Sequence, residues 1–190
     1  MTTTEQHTEP AAWIGCLACY NNGTLRGKWI TARQAADEAA TGELITYSGQ
    51  AEPATYPSGT TYARCVVCGG DEFDVFDTQH LPAGTRTLRE FYKNAEQLAD
   101  LDDAGELEQI TALAAWLGSA SLADLIDYNA DNYGGQWSSW QDFADNYADD
   151  FMTGDMPQHL APYFDYEKYA RDLAHSYYYD EATGHVWFSA

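Results

Sequence analysis

Residues Thr87–Leu117 read TLREFYKNAEQLADLDDAGELEQITALAAWL, and within them apolar side chains recur every three to four positions. That spacing is the signature of amphipathic helices, whereas strands alternate with a period of two. Thr87 and Glu90 stand at the spacing of a capping box, in which each side chain satisfies a free backbone donor of the other. A helix over Leu88–Ala99 places Leu88, Phe91, Tyr92, Ala95 and Leu98 on one face; a second over Ala104–Leu117 does so with Leu107, Ile110, Leu113 and Leu117. Working outward toward the C-terminus, Ser121 and Asp124 open a third helix that runs to about Ala130. Ser139 caps a fourth, Trp140–Met152, with the stripe Trp140, Phe143, Ala144, Tyr147 and Phe151. Asp165–His175 forms a short helix. Ser176–Asp180 and His185–Ser189, joined by Glu181-Ala182-Thr183-Gly184, read as a β-hairpin.

Toward the N-terminus the period shortens. Ala12–Tyr20 (AWIGCLACY) is an apolar run closed by the turn Asn21-Asn22-Gly23, and Leu25–Thr31 returns as a strand. A short helix over Ala32–Ala40 ends at Gly42, residues 48–60 form a loop, and strands follow over Tyr62–Val67 and Glu72–Asp77. The expected fold is therefore α+β. A polar leader over residues 1–10 precedes an N-terminal sheet with a helix over 11–84, a central helical bundle over 85–135, and a C-terminal helix with a hairpin over 136–190.

Charge is the outstanding property of the chain. It carries 30 acidic and 9 basic side chains, a formal net charge of −21, and a pI near 4.2. Residues 1–70 are nearly balanced, with 6 acids and 4 bases, while residues 71–190 hold 24 acids and 5 bases. No Lys or Arg occurs between Lys93 and Lys168, a stretch with 16 acids. A content of 45% hydrophobic and 14% aromatic residues excludes a disordered acidic tail, and a uniformly solvated surface would spread its acids along the whole chain. On the predicted helices the acids fall outside the apolar stripes. Asp142, Asp145, Asp149 and Asp150 share one face, where like charges weaken a helix by a few tenths of a kcal/mol per pair. A row that opposes folding points to binding. The candidate contact carboxylates are Asp100, Asp102, Asp103, Glu106, Glu108, Asp124, Asp127, Asp131, Asp142, Asp145, Asp149, Asp150 and Asp155. Such a surface repels nucleic acid and anionic lipid alike, and its complement is a basic groove. B-DNA presents about one charge per 1.7 Å of axis, so carboxylates at comparable spacing can occupy a groove built for phosphates. Tyr128, Tyr133, Trp137, Trp140 and Tyr147 lie among these acids as candidate interface anchors or core. With neither a secretory signal nor an apolar span, the expected location is the cytoplasm.

The four cysteines form two pairs, Cys16-Leu-Ala-Cys19 and Cys65-Val-Val-Cys68. Four thiolates at this spacing could hold one structural zinc ion. Against that, a continuous strand would send Cys16 and Cys19 to opposite faces, and buried cysteines of a reduced protein are the alternative. The five histidines have no metal-ligand spacing, and neither a nucleophile elbow nor a phosphate loop occurs, so an enzyme is not expected.

Three stretches resemble the ArdA antirestriction family: Trp13–Trp29 (WIGCLACYNNGTLRGKW), Glu72–Pro82 (EFDVFDTQHLP) and, most specifically, Pro162–Leu173 (PYFDYEKYARDL). Tyr20, Asn21, Gly23, Gly27 and Trp29 match the first pattern, and Tyr163, Asp165, Tyr166, Tyr169, Arg171 and Asp172 the last. The resemblance implies an elongated, curved homodimer of three-part chains whose carboxylates trace the path of bent DNA. It implies inhibition of type I restriction–modification enzymes by competition with DNA rather than by chemistry, with no cofactor required. The cysteine pairs lie outside the family pattern. A second reading of the residues is a zinc-binding acidic adaptor for another basic DNA-binding protein.

Overall fold

The computed structural model describes residues 9–118, 120–155, 159 and 163–189, with side chains of residues 151–155 left aside. It is α+β, as expected, and divides into two compact units, Met1–Leu122 and Ala123–Ala190. The leader expected over residues 1–10 lies outside the described residues except for Glu9 and Pro10.

In the first unit, strand β1 (Ala11–Cys16) is the centre of an antiparallel sheet of order β2-β1-β5, flanked by β2 (Gly27–Thr31) and β5 (Phe73–Gln79). Trp13 pairs with Trp29 in register, and a bulge between Trp13 and Ile14 shifts β1 against β5. The apolar run at 12–20 does not stay extended: after Cys16 it turns into a one-turn helix, α1 (Leu17–Asn21). Helix α2 (Ala32–Ala40) starts at a reciprocal capping box, Thr31 accepting from the Gln34 backbone and Gln34 from that of Thr31. The loop expected over 48–60 contains β3 (Ala51–Thr55), which pairs with β4 (Thr61–Cys65) as a separate hairpin.

The long periodic stretch forms three helices, α3 (Leu88–Lys93), α4 (Ala95–Ala104) and α5 (Leu107–Leu117). Thr87 caps α3 by accepting from Glu90 N, but the Glu90 carboxylate accepts from Lys93 and Asn94 rather than closing the expected box. The break at Asn94 has a local cause: its side chain donates to the Glu90 carbonyl at 2.7 Å, competing with the backbone ladder. Gly105, at φ +73°, ends α4 in the left-handed conformation, which delays α5 to Leu107. Phe91, Leu98, Ile110 and Leu113 are buried, and α3 and α4 pack against α2.

In the second unit, helix α6 (which begins at Leu122 and runs to Asn132) leads directly into β6 (Tyr133–Gln136), a strand absent from the sequence reading. It pairs with β8 (His185–Phe188), which also pairs with β7 (Tyr177–Tyr179). Two glycines at 134 and 135 conceal this strand, because its pairing comes from β8 and not from its own side chains. Helix α7 (Trp140–Asp155) is capped by Ser139, as expected, and α8 (Tyr166–Leu173) starts at Asp165, which serves as its cap. The core is aromatic. Trp187 is fully buried and donates to Asn129 at 2.9 Å, while Trp137, Trp140, Tyr147 and Tyr177 surround Phe143. All five aromatics weighed as interface anchors are partly covered, and the more exposed rings include Tyr20, Tyr163 and Phe188. Among the described residues no single helix is long and apolar enough to cross a membrane.

Candidate functional site

Helical geometry sorts the acids from the core in both units. In the first, Asp100, Asp102 and Asp103 lie on α4, Glu106 precedes α5 and Glu108 is in its first turn. Four of them are exposed and Asp102 is half-buried. Burial, with Glu9 and Asp103 beside it, pushes the Asp102 carboxyl above its ordinary value, against the opposing pull of Arg33 and His80. Asp103 is ion-paired with Arg33 at 2.7 Å, both side chains remaining more than half exposed. Two further cations, Arg64 and Lys93, sit on Glu52 and Glu90, acids outside the candidate set.

The second unit carries the denser arrangement. Asp124, Asp127 and Asp131 recur at i, i+3 and i+7 along α6, opposite the buried Leu125 and Asn129. Asp142, Asp145 and Asp149 repeat that spacing along α7, with Asp150 beside them, opposite the buried Phe143, Ala144 and Ala148. Asp145 is half-buried and the rest are exposed. Asp155 ends α7, and its side chain lies outside the described residues. Lys168 and Arg171, both on α8, are the only basic side chains between residues 123 and 190, against 13 acids.

Neutral donors orient the α7 triad. Ser138 Oγ donates to Asp142 at 2.9 Å, Gln141 Nε2 to Asp145 at 2.7 Å, and Tyr166 OH to Asp149 at 2.7 Å. Each bond restricts a carboxylate without cancelling its charge. The hydrogen bond to Asp149, then burial, raises the Tyr166 phenol above its ordinary value. These donors were missed in the sequence, although the i, i+4 spacing of Ser138 and Gln141 before their acids was a usable signal.

Several of the residues matched by pattern have a local structural contact. An added Cβ on Gly27 would overlap the Trp13 indole, so only glycine lets that ring lie across β2. Gly23 adopts φ +79° after α1, Tyr20 meets Phe76 edge-on at 5.4 Å, and Trp29 pairs across from Trp13. Asn21 closes α1. Asp165 accepts from Lys168 N, Tyr169 packs against Phe164, and Tyr163, Arg171 and Asp172 are exposed.

The structure brings all four cysteines together. Their sulfurs lie within 4.8 Å of one another, with Cys16–Cys68 at 3.5 Å and Cys19–Cys65 at 3.9 Å. Helix α1 removes the objection from strand geometry: turning after Cys16, it brings Cys19 back to the same side. The second pair occupies a closed loop in which Cys65 N donates to Gly70 O and Gly69 N to Cys65 O. Gly69 takes φ +76°, and Gly70 N donates to Cys68 Sγ at 3.4 Å. Burial raises the Cys65 thiol, yet backbone N–H groups of Cys68 and Val67 outweigh it and bring it down to about 7. Cys19, hydrogen-bonded to Cys68 and desolvated, is pushed up to about 12. Four thiols this close cannot all ionise without a cation among them.

A search of curated proteins finds no match. The family model described as antirestriction protein (ArdA) matches residues 12–187, nearly the whole chain and all three stretches noted in its sequence. An acidic α+β chain matched over that length is an antirestriction protein, and it belongs to the ArdA family.

Proposed function

We propose that the protein is a DNA mimic that competes with DNA for the binding groove of type I restriction–modification enzymes. The observation that supports this best is the pair of aspartate triads on α6 and α7, alike in spacing and opposite the buried side of each helix. At 1.5 Å rise per residue a triad spans about 10.5 Å, or roughly one charge per 5 Å of axis. One strand of B-DNA carries one charge per about 3.4 Å. Each helix thus offers about two-thirds of the linear charge of a single strand, on a scaffold with no bases to methylate and no phosphodiester to cut.

In this reading the protein acts in the cytoplasm as a homodimer, contacts the methyltransferase core of its target and catalyses nothing. Mimicry requires no cofactor, and the cysteine cluster enters as a structural metal centre holding one zinc ion. The finer division of the chain at 84/85 and 135/136 belongs to the same proposal. The test is restriction of unmodified DNA by several type I enzymes with and without the protein. Dose-dependent protection that weakens with salt is expected, because a mostly electrostatic interface is screened over about 8 Å in physiological buffer. Undiminished cleavage by all of them refutes the proposal. Recovery of a nucleoid or transcription factor, and no methyltransferase, in pull-downs would replace it with an acidic adaptor.

A further inference from the structure

The cysteine cluster is built from the end of β1, helix α1, the end of β4 and the loop after it, elements that carry none of the candidate carboxylates. We infer that Cys16, Cys19, Cys65 and Cys68 bind a single Zn²⁺ as four thiolates, and that this ion clamps the end of β1 to the β4–β5 connection. This holds whether or not the acidic helices engage a restriction enzyme. Tetrahedral zinc with Zn–S bonds of about 2.3 Å requires sulfurs about 3.8 Å apart. The two measured separations, 3.5 and 3.9 Å, bracket that value, and no pair exceeds 4.8 Å. Both separations are far longer than a disulfide, which is about 2.05 Å.

The surroundings suit a thiolate cage. Gly70 presents its N–H to Cys68, and an added Cβ there would collide with the Ala18 side chain between the two cysteine pairs. A bare backbone is therefore what lets the second loop close on the first. Zinc with four thiolates carries net charge −2. Arg26 and Lys28, two of the chain's nine cations, line the same open cleft of about 300 Å³ as Cys16 and Cys65. They bring positive charge to the cleft that Cys16 and Cys65 also line. The clamp adds to backbone pairing already at this junction, where Cys16 faces Phe73 across the sheet and Leu17 N donates to Glu72 O. Cys16, Cys19, Cys65 and Phe73 are buried, while Tyr20, Leu25, Val66 and Val67 nearby are exposed.

The experiment uses the full chain, purified under reducing conditions without chelator. Expected are about one zinc per chain by elemental analysis, and, after exchange into Co²⁺, the intense visible bands of a tetrahedral cobalt centre with sulfur-to-metal charge transfer. Stripping the ion should lower the melting temperature read by tryptophan fluorescence, and returning zinc should restore it. Gly70→Ala, which keeps all four ligands, should weaken zinc binding by about ten- to a hundredfold, the usual cost of disturbing a ligand's outer shell. Less than about one zinc per four chains, together with no cobalt band from the reduced apo-protein, overturns the site. So does zinc retained at full stoichiometry by a Cys16→Ser/Cys65→Ser double variant, since the ion would then lie elsewhere. A melting temperature indifferent to the metal overturns the clamp.

Discussion

Changing Asp142, Asp145 and Asp149 together to Asn separates binding from folding, because the two effects have different sizes. Asn is nearly isosteric with Asp and keeps an oxygen for Ser138, Gln141 and Tyr166 to donate to. On the stability side, two like-charge pairs disappear, Asp142/Asp145 and Asp145/Asp149, each worth about 0.2–0.5 kcal/mol in favour of the variant. Against this, Asp142 lies in the first turn of α7, where a negative charge next to the helix N-terminus stabilises by about 0.3–1 kcal/mol. The terms nearly cancel, so stability should stay within about 0.5 kcal/mol of the parent. On the binding side, three ion pairs at the surface with a basic groove are lost, at about 0.2–1 kcal/mol each. Affinity should therefore fall by roughly three- to a hundredfold. The assay is displacement of labelled DNA from a type I enzyme, titrated at about 50 and 300 mM salt, with thermal melts of both proteins. The gap between parent and variant should narrow at the higher salt, where the screening length is shorter. Displacement unchanged within twofold at low salt would refute the reasoning, and a lost melting transition would show that the triad is structural.

Other predictions rest on single contacts. Single Asp→Asn changes along α6 or α7 should each alter displacement less than about fivefold, since no exposed pair is worth more than about 1 kcal/mol. Tyr92 is buried and donates to Glu38 at 2.8 Å, so Tyr92→Phe should cost about 1.5–3 kcal/mol in denaturant titrations, as expected for a hydrogen bond to a charged group. Burial, then the bond to Glu38, holds the Tyr92 phenol well above the ordinary phenol value near 10. The folded state retains that proton when the unfolded chain has lost it, so stability should be fully present below about pH 10 and decline above it. Phenolate absorbance tracked against unfolding checks this, and Tyr92→Phe should flatten the decline. Gly27→Ala should destabilise by about 1–3 kcal/mol as the Trp13 ring is displaced, seen as a lower melting temperature.

Much of the fold was legible because the relevant forces are local. Ser139 caps its helix where the sequence placed it, and the Asp180–Gly184 turn follows from Thr183 donating to Asp180 and from Gly184 at φ +79°. What escaped was strands that exist only through their partners. Strand β6 exists because β8 returns some fifty residues later to bond it, and β3 exists because β4 faces it. Neither has an alternating pattern of its own. The break at Asn94 escaped for a different reason, a side chain competing with the backbone inside a well-formed apolar stripe.

The amino-acid order alone determined the charge, its concentration after residue 70, the helical faces that keep acids away from the core, and the motifs shared with the ArdA family. These follow from composition and from a fixed helical period, which act on neighbouring residues whatever the rest of the chain does. Only the tertiary structure decided that Cys16, Cys19, Cys65 and Cys68 converge, and that Tyr166 of α8 holds Asp149 of α7 without cancelling its charge. The sulfurs meet because α1 bends the chain after Cys16 while β5, pairing with β1, returns the second loop to the same edge. Distances between residues some fifty positions apart are set by that packing and not by their spacing along the chain.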